Sequence, residues 1–363
     1  MAHAYMMGMA ERERRIRRSQ LRRSHLRKHS NPWDIPEGEF VANYRLSLPL
    51  FQQLVDELAP YLRPKQRSTG ISTELKIMAA LDFYAGGSYQ RRVGKDYNLG
   101  LCQTAVHKCV AEVTDALNQS EVLLRHIKFP SSTEERRTIL KGFMDVFGFP
   151  GVVGCIDGTH IAIIRPHLNE EAFFNRKHYH SLNALIICDV NLNILHVDAS
   201  YGGACHDSHV WNRSALEAHM QSLNEAGEAC WLLGDSGYAQ RNWMMTPILR
   251  TAPDSPESNY TDNHTSTRNT VERCIGVLKA RWRCLLAHRT LHYDPIKAGK
   301  IVNACIVLHN MCNNARLDVP ALDEYDRRRD GQRQPRQPAY AQDVVASRQA
   351  LVERLWRDRR RRR

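Results

Sequence analysis

The sequence predicts two folded units in succession, an all-α domain and then a mixed α/β domain with a buried sheet. Three observations predict it. Between Pro32 and about Leu140 apolar residues recur at spacings of three and four. Beyond Gly148 come short β-rich runs bounded by Gly, Asn and Asp. Helical spacing then returns from about Arg268 to Asn314. The length, 363 residues, also exceeds one average domain.

Composition narrows the class. Hydrophobic residues make up 42% of the chain, enough for a sizeable core, and no run approaches the roughly 20 apolar residues of a membrane span, so a soluble protein is expected. The start, MAHAYMMGMAERERR, turns to charge too early for a secretory signal. Lys plus Arg number 51 against 39 Asp plus Glu, a formal charge of +12 that favours a polyanionic partner, nucleic acid first. Charge alone does not separate DNA from RNA or a membrane surface. The ten cysteines form no C-x-x-C pair and read as reduced core thiols in a nuclear or cytosolic protein, with zinc binding a poor second.

In chain order, residues 1–32 form a basic arm, expected to be disordered, because ERERRIRRSQLRRSHLRK leaves no apolar face to pack. Residues 33–147 form the helical domain, with LSLPLFQQLVDELAPYL and ELKIMAALDFYA as its clearest helices. Within it, GGSYQRRVGKDYNLGLCQTAVHKCVAEVTDALN outlines a helix-turn-helix. Ser88 caps a short helix, the chain turns around Asn98 to Gly100, and a longer helix runs from about Cys102 to Leu117. Its apolar face is Val106, Cys109, Val110, Val113 and Leu117. In such a motif Gln103, Thr104, His107 and Lys108 face base edges, and Arg91, Arg92 and Lys95 face phosphates. By spacing alone, an ordinary helical hairpin is an equal alternative.

Residues 148–315 form the α/β domain, with GVVGCIDGTHIAII, NALIICDV, NILHVDASYGG and CWLLGDSGY as strands. Four carboxylates stand where strands end or a helix begins: Asp157, Asp207, Asp235 and Glu272. Each alone has a plain structural role, Asp157 and Asp235 in turns and Glu272 reaching back to an Asn269 cap. Together they point to a cleft in which mutual repulsion is relieved by Mg²⁺ or Mn²⁺ with hard oxygen ligands. Two such ions can drive phosphodiester cleavage. A competing zinc site could use His178 and His180, alternating along a strand-like segment, with His206 and His209 flanking Asp207. Lys279 and Arg281 are candidate phosphate contacts, with solvated helix surface the alternative. Residues 316–363 read as a charged flexible tail, linker-like from about Asp323 to Gln342.

In these blocks the chain resembles the PIF/Harbinger superfamily of transposases and the Harbinger transposase-derived nucleases of animals. The likeness spans about residues 70 to 314. It is carried in order by GSYQRRVGKDYNLGLCQTAVHKC, GCIDGTHIAI, NRKHYHSLNALIICD, GGACHDSHVWNRS, LLGDSGY, NTVERCIGVLKARWRCL and IVLHNMC. The resemblance implies a ribonuclease H-like domain, a mixed central sheet flanked by helices, with Asp157 on its first strand and Asp235 on the adjacent fourth. Glu272 matches the family glutamate on the following helix, and Asp207 a further acidic position. It implies metal-dependent hydrolysis of DNA, with strand transfer as an extension, and nuclear as well as cytoplasmic residence. A Myb-like partner protein is implied too, and a homo-oligomer is left open. A domesticated relative can also be a catalytically silent DNA-binding adaptor. Two positions depart from the pattern, Cys102 where a serine commonly starts the recognition helix and Ala184 where a polar residue is frequent.

Overall fold

A computed structural model describes residues 2–66, 70–87, 90–94, 98–322, 326 and 346–359. It divides into two compact units. One holds residues 1–119 with 282–284, the other residues 120–281 with 285–363.

The first unit is all-helical: α1 (Ala2–His29), α2 (Glu37–Tyr44), α3 (Leu48–Leu58), α4 (Thr73–Gly86), α5 (Gln90–Val93) and α6 (Gln103–Leu117). Ser47 and Ser72 cap α3 and α4 by accepting hydrogen bonds from Leu50 N and Leu75 N. The central helix α4 is buried over nearly its whole length and packs against α6. Buried Lys76 on α4 reaches Glu112 Oε1 on α6 at 2.8 Å and the Arg63 carbonyl at 2.7 Å, so its charge is neutralised inside the bundle.

The basic arm differs from the flexible segment expected. It is the helix α1, largely exposed, and Arg27 Nη1 donates to the Gly100 carbonyl at 2.7 Å. Arg and Lys are good helix formers, so density of charge removed a packing face without removing the helix.

The second unit continues with α7 (Ser120–His126), α8 (Thr133–Phe147), β1 (Val152–Ala162), α9 (Glu170–Phe173), β2 (Ser181–Cys188) and β3 (Ile194–Gly202). Then come α10 (Asp207–Asn212), α11 (Ala215–Glu225), β4 (Trp231–Leu233), β5 (Met244–Met245), α12 (Pro256–Arg281), α13 (Pro295–Asn314) and α14 (Ala346–Arg359). Sheet order is β3-β2-β1-β4-β5, antiparallel across β3, β2 and β1 and parallel across β1, β4 and β5. This mixed sheet flanked by helices is consistent with the ribonuclease H-like arrangement. Helices α7 and α8, read from the sequence as part of the helical domain, belong with the sheet. Helix α8 opens with a capping box of Ser132 and Glu135, ends at Gly148 with φ of 65°, and packs on β1.

The pleat of β1 sorts its side chains. From Cys155 to Ala162 the register with β2 is unbroken, so Asp157 and Gly158 point to opposite faces. Ile156 lies in a core with Leu185, Ile187, Val210, Trp211, Leu216 and Met220, the face that α10 and α11 cover. On the other face the Cys155 thiol reaches the Thr267 carbonyl of α12.

Two expectations about helix limits are corrected. Helix α12 starts at Pro256, not near Arg268, because Tyr260, His264, Thr267 and Val271 bury one stripe of a segment whose Asn, Ser and Thr content resembles a loop. The C-terminal segment is not a flexible tail throughout. Leu351, Val352 and Leu355 of α14 are buried, α14 packs on α12, and buried Asp326 accepts from His288 Nε2 at 2.7 Å. Most of the Asp323 to Gln342 linker lies outside the described residues. No helix of the described residues is long and apolar enough to cross a membrane.

Candidate active site

Asp157 lies in mid-strand on β1, only 4% exposed, rather than at a strand end as its Asp-Gly sequence suggests. A buried carboxylate needs a charged partner, and α12 supplies one. Arg268 Nη2 stands 3.2 Å from Asp157 Oδ2, and its Nη1 donates to Glu272 Oε1 at 2.8 Å. Arg268 and Glu272 are one helical turn apart, so a continuous α12 places both on the same side. The Asn269 cap considered for Glu272 does not arise, since Glu272 is well inside the helix.

Asp235 follows β4, the parallel neighbour of β1, and Gly237 N donates to its Oδ1 at 2.9 Å. Burial alone would push the Arg268 guanidinium down. The charges of Asp157, Asp235 and Glu272 outweigh burial and hold it above its ordinary value. Three of the four expected carboxylates thus act on one guanidinium. Removing either partner of the Asp157 link would cost about 3–5 kcal/mol, because it leaves the other charge buried and uncompensated.

Asp207 approaches from the opposite face of β1. It is the first residue of α10, and its Oδ1 accepts from Asn183 Nδ2 at 2.7 Å. A β-carbon on Gly158 would meet that carboxylate, so glycine at 158 leaves the room Asp207 occupies. The set is therefore three groups on the α12 side of β1 and one across the strand.

The donor set is all oxygen, which suits a hard divalent cation, and the guanidinium already stands among three carboxylates as a stand-in for one. Among the described residues, however, no three His, Cys, Asp or Glu side chains form a group able to hold one ion as they stand. The histidines of the zinc alternative are dispersed. His178 sits in a turn at φ of 61°, His180 pairs with Glu170 at 3.0 Å, His206 faces Arg176, and His209 packs edge-on against Tyr201.

In the helical unit, α6 starts at Gln103 and buries Val106, Cys109, Val110, Val113 and Leu117, the apolar face expected. Gln103, Thr104, His107 and Lys108 are exposed on the other side, with Gln90 Nε2 3.2 Å from His107 Nδ1. Arg91 and Arg92 fall in α5, while Ser88 and Lys95 lie outside the described residues.

The expectation for Lys279 and Arg281 is corrected. Both are buried, and Arg281 donates to Asn313 Oδ1 at 2.5 Å and to the Leu317 carbonyl at 2.8 Å, satisfying the end of α13 instead of facing solvent. Conversely, sequence reasoning missed Arg268. Its signal was present as an Arg four residues before Glu272, but a helix thought to begin at that point hid the pairing. Asn183, within the block NRKHYHSLNALIICD, carries no local sign of its bond to Asp207.

The chain matches the family model for "DDE superfamily endonuclease" over residues 156–310, from β1 to the last turns of α13. It is 36% identical over 291 residues to "Putative nuclease HARBI1" of Bos taurus, covering 79% of this chain and 80% of that protein. The Homo sapiens protein of that name is 35% identical over the same shares. A more distant relative is "Protein ALP1-like" of Arabidopsis thaliana, 22% identical over 66% of this chain and 61% of that one. No solved structure matches. Helical unit, mixed sheet, acidic cluster and sequence likeness agree: the chain belongs to the Harbinger/PIF superfamily of DDE transposase-derived nucleases.

Proposed function

We propose that this chain is a divalent-metal-dependent DNA endonuclease that hydrolyses phosphodiester bonds, with strand transfer as an extension of the same chemistry. Asp157, Asp235 and Glu272 would hold Mg²⁺ or Mn²⁺, and Asp207 would support the site from across β1. The observation that carries this reading is the convergence of three carboxylates, from β1, the end of β4 and α12, on one cationic group.

Bound there, a hard divalent cation supplies polarisation of the phosphoryl oxygens and neutralisation of the leaving oxygen. The chain's own groups do the positioning. Asp157 is fixed by the β1 pleat, Asp235 by its turn with Gly237, and Glu272 stands at the more open side of the cluster, its side chain 37% exposed. A phosphodiester reaching the cluster from that side would meet Glu272 before Asp157.

In the helical unit, α5 and α6 would act as a helix-turn-helix, with Gln103, Thr104, His107 and Lys108 toward bases and Arg91, Arg92 and Lys95 toward phosphates. A Myb-like protein would assist DNA binding, and self-association remains part of the proposal. The setting would be the nucleus, with a cytoplasmic pool.

The test is nicking of supercoiled DNA by the purified protein with Mg²⁺ or Mn²⁺, against Asp157→Asn and Glu272→Gln. Cleavage by the parent and its loss in both folded variants supports the reading; equal cutting by all three refutes it. One observation favours a second reading, a catalytically silent DNA-binding adaptor: Arg268 already satisfies Asp157 and Glu272. DNA binding without cleavage at any divalent metal would establish that.

A further inference from the structure

The acidic cluster carries its own cation. Arg268 lies in the interior part of the site, its side chain 13% exposed, with one nitrogen toward Asp157 and another toward Glu272. The planar guanidinium fork suits two carboxylates at once, which a point charge does not. We infer that Arg268 is the resident counter-ion of the acidic site, holding Asp157 and Glu272 together in the resting state and giving them up when a divalent cation binds. This inference rests on the reading of those carboxylates as metal ligands.

Charge and geometry agree. Asp157, Asp235 and Glu272 carry three negative charges and Arg268 returns only one, so the resting site keeps a net negative charge that attracts a divalent cation. The same three residues do not enclose an ion as they stand, as expected if their spacing is set by a guanidinium rather than by a smaller, closely coordinated metal. A cation among these carboxylates would lie within a few ångströms of Arg268, where like charges repel strongly in a partly desolvated site. Metal and guanidinium therefore compete.

Arg268 has somewhere to go. Its partner Glu272 is far more open than Asp157, and a DNA phosphate offers a bidentate acceptor in exchange for the carboxylates. Substrate would then clear the site for metal, and in the absence of DNA the site would stay poorly charged with metal. Arg268 is thus a positioning residue with an inhibitory resting role.

The experiment is Mn²⁺ binding to the full chain without DNA, followed by electron paramagnetic resonance, for the parent, Arg268→Gln and Arg268→Lys. Removing the resident charge should tighten Mn²⁺ binding about tenfold or more in Arg268→Gln, and by a smaller factor, about threefold, in Arg268→Lys. Melting without metal should fall in Arg268→Gln and be restored by Mn²⁺. If Arg268→Gln does not fold, Arg268→Lys decides alone. Unchanged or weaker Mn²⁺ binding in the folded variants overturns the counter-ion role and leaves the nuclease reading standing. Absence of Mn²⁺ binding in all three proteins overturns both.

Discussion

Gly158 and Asp207 share one space: a β-carbon on Gly158 would stand 2.3 Å from Asp207 Oδ1. A glycine within a strand ordinarily weakens it, and here the missing side chain is the room a carboxylate from α10 requires. Gly158→Ala should therefore displace Asp207 and disturb its bond from Asn183 while costing only about 1–3 kcal/mol of stability. The expected outcome is a folded protein with a lower melting temperature and strongly reduced nicking. Parent-like nicking would show that Asp207 has no part in the site.

His264, one turn before Arg268 on α12, makes the domain acid-sensitive. Burial, opposed by its bond to the Met245 carbonyl, pushes the imidazole down from an ordinary 6.5 to about 4. A group whose folded pKa is depressed contributes stability above its unfolded pKa and loses it as pH falls. The loss should begin near pH 6.5 and approach about 3 kcal/mol by pH 4. Urea unfolding of the parent and His264→Gln across this range should converge at low pH; a constant gap would contradict the assignment.

Leu351 and Leu355 of α14 are each nearly fully buried. Leu→Ala at either position should cost about 2–4 kcal/mol in chemical denaturation, where a mere charged tail would cost nothing measurable. Because α14 packs on α12, hydrogen exchange should also quicken along the α12 segment that faces it.

The two sets of basic residues should separate cleanly. Lys108→Ala, on the exposed side of α6, should weaken DNA binding and reduce the dependence of log affinity on log salt by about one, with stability unchanged. Arg281→Ala should instead lower the melting temperature, since it strips donors from Asn313 and the Leu317 carbonyl, and leave DNA affinity of the folded protein unaltered. Fluorescence anisotropy over a salt series, paired with melting curves, measures both.

Much of this was legible from residue order. The α6 apolar face, the strands around Asp157 and Asp235, and the family blocks are local patterns that burial and pleat enforce. What escaped depends on contacts distant in sequence. The polar first half of α12 is held helical by Tyr260 and His264 packing beside Phe149, and Arg268 acquires its meaning only from Asp157, far earlier in the chain. Arg281 looked like surface because nothing local announces Asn313. The separation of Asp157 from Asp207 follows from a strand that continues through Asp-Gly where a turn was expected.

The alternation along β1 also bears on how the hairpin with β2 finds its partner. A slip by one position would exchange the surroundings of Asp157 and Gly158, pressing one carboxylate against Asp207 and leaving the guanidinium of Arg268 over a residue with no charge to meet it. Both errors are electrostatic and add to the misplacement of Ile156 that the same slip would cause. The charged groups on the two sides of β1 thereby disfavour a slipped pairing, so that neutralising them should make misregistered folding easier even where it leaves the native state intact.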